Sequence, residues 1–193
     1  MTKKSWFIVA ALLATTVGAV TASAAYSVSP RIGEVAGGFG YTDWCIDFFT
    51  DNPAPLLAIF GVESPDLNWY GMRCSGGQSM GWHGLRHNST LENDAVACPN
   101  TGGWYVDGLR GYYRARSNGS TIVTGLSLWC IKPSTWETRS ASNFLGSSSG
   151  NDSFRSVRCN NNDVGWGITG TQDSSNSESA VRSLNLLCDL APH

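Results

Sequence analysis

One arrangement of residues is written three times along this chain, as Leu67-x-x-Tyr70-x-Met72-x-Cys74, Val123-x-x-Leu126-x-Leu128-x-Cys130 and Val181-x-x-Leu184-x-Leu186-x-Cys188. The steps between the closing cysteines are 56 and 58 residues. The later intervals alternate, as in a strand with one buried face. The first does not, because three residues on a regular strand separate side chains that point to opposite faces. A β-bulge inserts one extra residue and returns both to the same face. Offset, alternation and terminal cysteine agree in every copy, which predicts an inherited strand unit with one bulge.

All six cysteines, Cys45, Cys74, Cys98, Cys130, Cys159 and Cys188, lie beyond the first 44 residues. None forms a Cys-x-x-Cys pair, so an even count in an exported chain reads as three disulfides. Six cysteines allow about 15 pairings, and sequence alone does not choose among them. The spacing favours Cys45–Cys74, Cys98–Cys130 and Cys159–Cys188, separated by 29, 32 and 29 residues. Pairing across units, such as Cys74 with Cys98, is the main competitor. Three modules follow, at roughly 37–74, 88–130 and 146–188, each expected to carry its own bridge.

Between the paired cysteines stand LLAIFG from Leu56, WYVDGLRG from Trp104 and DVGWGITG from Asp163. Short alternating runs broken by Gly, Asn and Ser read as strands with tight turns. No stretch keeps a helical period for three turns. The 22 glycines fit an all-β chain. One sheet alone leaves raw edges and a bare apolar face, whereas three set as the sides of a prism bury all three inner faces together. A β-trefoil has shorter repeats of ~40–50 residues and a Gln-x-Trp signature, absent here. The expected fold is an all-β, threefold pseudo-symmetric β-prism of three antiparallel sheets, disulfide-stapled.

With these carriers, together with CPNTGGWYVDGLRG from Cys98 and GGFGYTDWC ending at Cys45, the chain resembles the vitelline membrane outer layer protein I family. That resemblance covers most of residues 25–193. It implies a secreted β-prism of three internally repeated, disulfide-bearing sheets, and a role in an extracellular coat.

The start of the chain is set apart from this pattern. Lys3 and Lys4 precede an apolar run from Trp6, and Ala22-Ser23-Ala24 offers small residues for cleavage. Residues 1–24 read as a secretory signal peptide, with an apolar core short of the ~20 residues of a bilayer span. Residues 25–193 are read as a single domain. Without Lys3 and Lys4 the chain carries 11 basic against 15 acidic residues. That balance argues against a nucleic-acid partner or an anionic membrane surface, which need a basic face.

Several motifs carry residue types suited to chemistry. Gly146-Ser147-Ser148-Ser149-Gly150 matches a hydrolase nucleophile pattern but lacks the strand–turn–helix context that the motif needs. His83 and His87, with Glu92 and Asp94 nearby, suggest a metal. On a strand, however, i and i+4 lie ~13 Å apart, so two surface histidines near a turn are expected, and His83 as a general base has no evident partner. Asp107 and Asp163 do not align as a catalytic pair.

The aromatic residues say more. A flat ring beside polar groups stacks on a sugar ring. Trp82, Trp104 and Trp166 lie in turn-rich segments, and GLRGYYRARSNG interleaves Arg110, Tyr112, Tyr113, Arg114 and Arg116 in an expected hairpin. These eight form the expected ligand-binding set. No catalytic residue, metal or cofactor is assigned. The expected function is secreted, non-enzymatic glycan binding, or a part in an extracellular coat or matrix. A secreted polysaccharide hydrolase and a structural or protein-interaction scaffold are the alternatives. The expected partner is a glycan or matrix component, with no nucleic acid and no membrane insertion. The expected location is outside the cell, or the periplasm in a Gram-negative host.

Overall fold

The computed structural model describes residues 26–33, 37–47, 49–50, 52–63, 67–76, 79–83, 94–146, 148–160, 162–174 and 179–192. Residues 1–25, expected as the leader and its cleavage point, and His87 and Glu92 lie outside them. Thirteen strands and no helix occur among the described residues. In order come β1 (Ser27–Val28), β2 (Phe39–Trp44), β3 (Leu56–Glu63), β4 (Leu67–Cys74), β5 (Ser79–His83) and β6 (Asp94–Ala97). Then follow β7 (Tyr105–Ala115), β8 (Thr121–Lys132), β9 (Glu137–Ser140) and β10 (Leu145–Gly146). Last are β11 (Ser153–Arg158), β12 (Asp163–Gln172) and β13 (Val181–Leu190).

Three antiparallel walls form a β-prism, each around one long hairpin. The first wall has the order β5-β4-β3-β6, the second β10-β8-β7-β11 with β9 also on β8, and the third β1-β13-β12-β2. The repeated strands are β4, β8 and β13. In each, the ladder slips by one residue between the first two apolar positions, leaving Asn68, Thr124 and Arg182 as the extra residues. The bulge read from the three-residue step is therefore present in every copy. It brings the following pairs inward: Tyr70 and Met72, Leu126 and Leu128, Leu184 and Leu186 are each at most 2% exposed. Burying a side chain of this size stabilises by roughly 1.5–3 kcal/mol, and the three rows meet in one core.

A second bulge sits opposite the closing cysteine of each hairpin, with Leu57, Asp107 and Trp166 as the extra residues. Register then aligns the Gly that ends each of the three other motifs, Gly61, Gly111 and Gly170, opposite Tyr70, Leu126 and Leu184. Two of these glycines make room for side chains entering from elsewhere. A Cβ on Gly111 would stand 2.7 Å from Ile32 Cγ2, and one on Gly170 would stand 2.6 Å from the Tyr41 hydroxyl. Ile32 is fully buried and pairs by backbone with Leu184.

The disulfides pair as the spacing favours: Cys45–Cys74, Cys98–Cys130 and Cys159–Cys188, with Cα–Cα distances of 5.3, 5.6 and 5.7 Å. They do not close single walls, however. The strand before each hairpin pairs with a different wall: β2 joins β12, β6 joins β3 and β11 joins β7. Cys45, Cys98 and Cys159 follow those edge strands and bridge to the next hairpin. Each link therefore ties two neighbouring walls, third to first, first to second and second to third. The expectation of one staple per wall is corrected because sequence neighbours here are not sheet neighbours.

Polar groups close the seam between the third and first walls as well. His83 on β5 faces the Asp43 carboxylate through Nε2, and its Nδ1 lies 3.0 Å from Gln172 Oε1. Tyr41 stacks on the imidazole at 3.8 Å, and its hydroxyl meets that of Tyr70 at 2.6 Å. Burial pushes both phenols far above the usual tyrosine range. The surface position expected for His83 is thus corrected: it is 8% exposed, because β5 turns it into the seam, where Asp43 and Gln172 supply its partners.

The contact at Gly111 generates a test. Gly111→Ala is expected to destabilise by about 1–3 kcal/mol through overpacking, and Ile32→Val in the same chain should recover part of that loss. Urea unfolding of both single variants and the double variant measures the coupling; strict additivity would count against the contact.

Candidate functional site

The expected ligand-binding residues do not converge on one place, and strand geometry explains why. Along β7, Leu109 and Gly111 face the core while Arg110, Tyr112 and Arg114 face out. The same alternation turns Tyr113 inward, where it packs against the core cluster. Adjacent residues of the YYRAR run therefore serve opposite faces of the wall.

Arg114 and Arg116 already have carboxylate partners. Arg114 Nε donates to Asp152 Oδ1 at 2.8 Å, and Arg116 Nη1 donates to Asp173 Oδ2 at 2.7 Å, with Arg182 Nε on the other Asp173 oxygen at 2.6 Å. Trp104 is 6% exposed. It borders a cavity of about 290 Å³ with Arg73 and Asn100, and the Arg139 guanidinium lies 5.1 Å from its ring centre. Trp166, the bulged residue of the third wall, packs with Ile131, Val164 and Ala191. Ala191 also lines an open apolar cleft of about 310 Å³ with Trp136 and Leu190. The Trp82 backbone pairs with Gly71; its side chain lies outside the described residues.

Arg110 and Tyr112 are brought together, and with partners that the sequence pattern did not single out. Across the second wall, Phe154 pairs with Tyr112, Ser156 with Arg110 and Arg158 with Gly108. On the other side of β7, Trp129 pairs with Gly108. Phe144, just before β10, completes the surface. The Tyr112 ring lies 5.1 Å from Phe154 and 5.3 Å from Phe144. The Arg110 guanidinium sits among three rings, 5.4 Å from Trp129, 5.2 Å from Phe144 and 5.9 Å from Phe154. Phe154 is 48% exposed on the edge strand β11.

Gly108 makes the arrangement possible. A Cβ there would stand 2.6 Å from the Val157 carbonyl oxygen and 3.1 Å from Trp129 Cβ. In that gap Trp129 donates from Nε1 to Ser156 Oγ at 2.7 Å. Arg158 flanks the same indole at 5.5 Å and donates to Asp107 Oδ2 through Nε and Nη2. Burial pushes the Asp107 carboxyl up, and the Arg158 bonds offset part of that shift. Arg158 is therefore neutralised by its own carboxylate. Among the described residues, no acid or hydrogen-bond acceptor lies within bonding reach of the Arg110 guanidinium. The face thus presents stacking surface beside unclaimed donors.

Both ring nitrogens of His83 are occupied by protein oxygens. Among the described residues, no group of three His, Cys, Asp or Glu could hold a metal. Ser149, in the Gly-x-Ser-x-Gly run, donates from its backbone N–H and its hydroxyl to Asp152.

No family model matches the chain, and no curated protein does. Solved structures do. A mannose-specific jacalin-related lectin from Morus nigra, in complex with mannose, superposes with a TM-score of 0.56 at 14% identity, covering 88% of this chain and 98% of the lectin. Frutapin, a lectin from Artocarpus incisa, gives 0.55 at 11% identity, covering 86% and 97%. Single-chain recombinant jacalin gives 0.53 at 13% identity, covering 89% and 99%. At these identities the likeness shows the fold, a β-prism over most of the described chain.

Asp152 generates a pH test. Its side chain is fully shielded. Burial opposes its charge, but donors from Arg114, Ser149 and Thr124 outweigh burial and hold the carboxyl well below the usual range. A depressed folded-state value contributes stability that is full above the unfolded value of ~3.9 and is lost as pH falls below it. Asp152→Asn should cost roughly 1–3 kcal/mol at neutral pH and flatten the loss of stability on acidification. Urea midpoints between about pH 6 and pH 2 would show this; parallel curves for the two proteins would not fit.

Proposed function

We propose that this chain is an exported, non-enzymatic protein that binds glycan on the outer face of its second wall. The observation that carries the reading is the group of Trp129, Phe144 and Phe154 rings around the Arg110 guanidinium, with Tyr112 beside the two phenylalanines and Phe154 48% exposed. Rings of this kind stack on the C–H face of a pyranose, while guanidinium N–H groups bond its oxygens. The expectation of stacking rings in turn-rich segments shifts to the middle of a wall. The β-prism likeness to mannose-binding lectins supports a saccharide ligand. Kinship with the vitelline membrane outer layer protein I family, and a part in an extracellular coat, belong to the same reading.

Export is supported by two features. The 1–24 segment has the organisation of a leader, and three disulfides persist in an oxidising compartment. Residues 25–193 then act as one mature unit outside the cell, or in the periplasm of a Gram-negative host.

Glycan-array and titration measurements test the site. Tyr112→Ala combined with Phe154→Ala should weaken the best-bound glycan about tenfold or more, as expected when two stacking contacts are lost. Trp104→Ala and Tyr113→Ala, which alter the interior, should act mainly on stability. Unchanged affinity in the Tyr112/Phe154 variant would sink the assignment, and catalytic release of sugar would favour the hydrolase instead.

A further inference from the structure

We infer that the glycan read by this face is acidic, and that Arg110 recognises a ring-borne carboxylate, as in a hexuronate polymer. The inference rests on the glycan-binding reading and adds the class of ligand. Its first support is the state of Arg110. The other arginines described at the same wall have oxygen partners: Arg114 has Asp152, Arg158 has Asp107, and Arg155 Nη1 donates to the Arg31 carbonyl at 3.0 Å. Among the described residues, Arg110 has rings alone. Cation–π contact attracts the charge without using its N–H hydrogen bonds. The result is a guanidinium held in place with its donor fork unfilled.

A second support comes from pseudo-symmetry. The positions equivalent to Arg110 are Phe60 in the first wall, opposite Gly71, and Thr169 in the third, opposite Asn185. Their inward neighbours Ile59, Leu109 and Ile168 are all apolar and buried. Packing of the wall therefore does not require arginine here. The charge is particular to the one wall that also carries Tyr112, Phe144 and Phe154 outward.

Geometry selects the anion. A carboxylate is planar, and its two oxygens match the guanidinium fork in parallel hydrogen bonds. In a hexuronate it is joined directly to a ring carbon and lies at the edge of the pyranose. A sugar stacked on Phe154 or Phe144, whose centres lie 5.9 and 5.2 Å from Arg110 Cζ, presents that edge toward the guanidinium. A sulfate ester hangs from an additional oxygen and is tetrahedral, a poorer match to both ring and fork.

The test compares three probes on the oxidised mature protein: polygalacturonate, neutral mannan and dextran sulfate, by titration at low and moderate salt. The wild-type protein should bind polygalacturonate most tightly. In Arg110→Gln the ratio of polygalacturonate to mannan affinity should fall roughly 10- to 100-fold, the effect of losing charge-assisted hydrogen bonds. Arg110→Lys, which keeps the charge and loses the fork, should fall between. Thermal unfolding verifies the fold of each variant; if the glutamine variant does not fold, the lysine variant decides the matter. A ratio unchanged by substitution, or a preference for mannan or dextran sulfate, overturns the inference. Mannan binding that disappears with Tyr112→Ala and Phe154→Ala would then leave the broader glycan reading standing. Failure of all three probes to bind would remove both.

Discussion

The structure depends on a single extra residue in each of three strands. Without it, the first apolar side chain of every repeated strand would point away from those that follow. The bulges lie at Asn68, Thr124 and Arg182, and in the second and third walls they set Val123 and Val181 in the same buried row as Leu126 and Leu128, and Leu184 and Leu186. None of these rows is buried by its own sheet. Each is covered only when the other two walls are present, so the walls stabilise one another or not at all. Such mutual dependence makes the threefold arrangement a physical requirement rather than a decorative symmetry.

The glycines and cysteines act on that same requirement at different places. Near the axis, Gly111 and Gly170 give up side-chain volume so that Ile32 and Tyr41 can enter. At the corners, each disulfide joins walls whose separation would expose the core. A loop closed over about 30 residues removes roughly 3–4 kcal/mol of unfolded-state entropy on the chain-entropy model. The corner between the third and first walls adds the Tyr41–Tyr70 and Asp43–His83–Gln172 contacts. The walls are thus held by links at their edges as well as by the shared interior.

Much of this was legible in the sequence. The three-residue offset located each bulge, and cysteine spacing favoured the observed pairs, because both are local along the chain. The wall to which each edge strand belongs was not legible. β2 precedes the first hairpin yet pairs with β12, and no local pattern records a partner so distant. The same limit hid the environment of His83, whose oxygens come from Asp43 and Gln172. For the candidate face, composition pointed to GLRGYYRAR, but period-two alternation divides that run between core and solvent. Phe154 and Trp129 became neighbours of Arg110 through pairing across β7, and Phe144 through the pairing of β10 with β8. Gly108 was the available signal: a residue without a side chain at the point where an indole crosses the wall.

Repetition separates what the fold needs from what it permits. Inward positions repeat in kind: Ile59, Leu109 and Ile168, then Gly61, Gly111 and Gly170. Outward positions do not, since Phe60, Arg110 and Thr169 occupy one equivalent site and differ in every property. A side chain conserved in character across three walls answers to packing, whereas one that appears on a single wall is free to answer to a ligand. Because the inward rows are fully buried and tied at the corners, the second wall offers its rings and guanidinium on a stiff support. Little conformational entropy then remains to be lost when a partner settles there. Rigidity imposed by the interior and chemical freedom on the exterior are thus consequences of the same alternation, and Arg110 stands where the second is most visible.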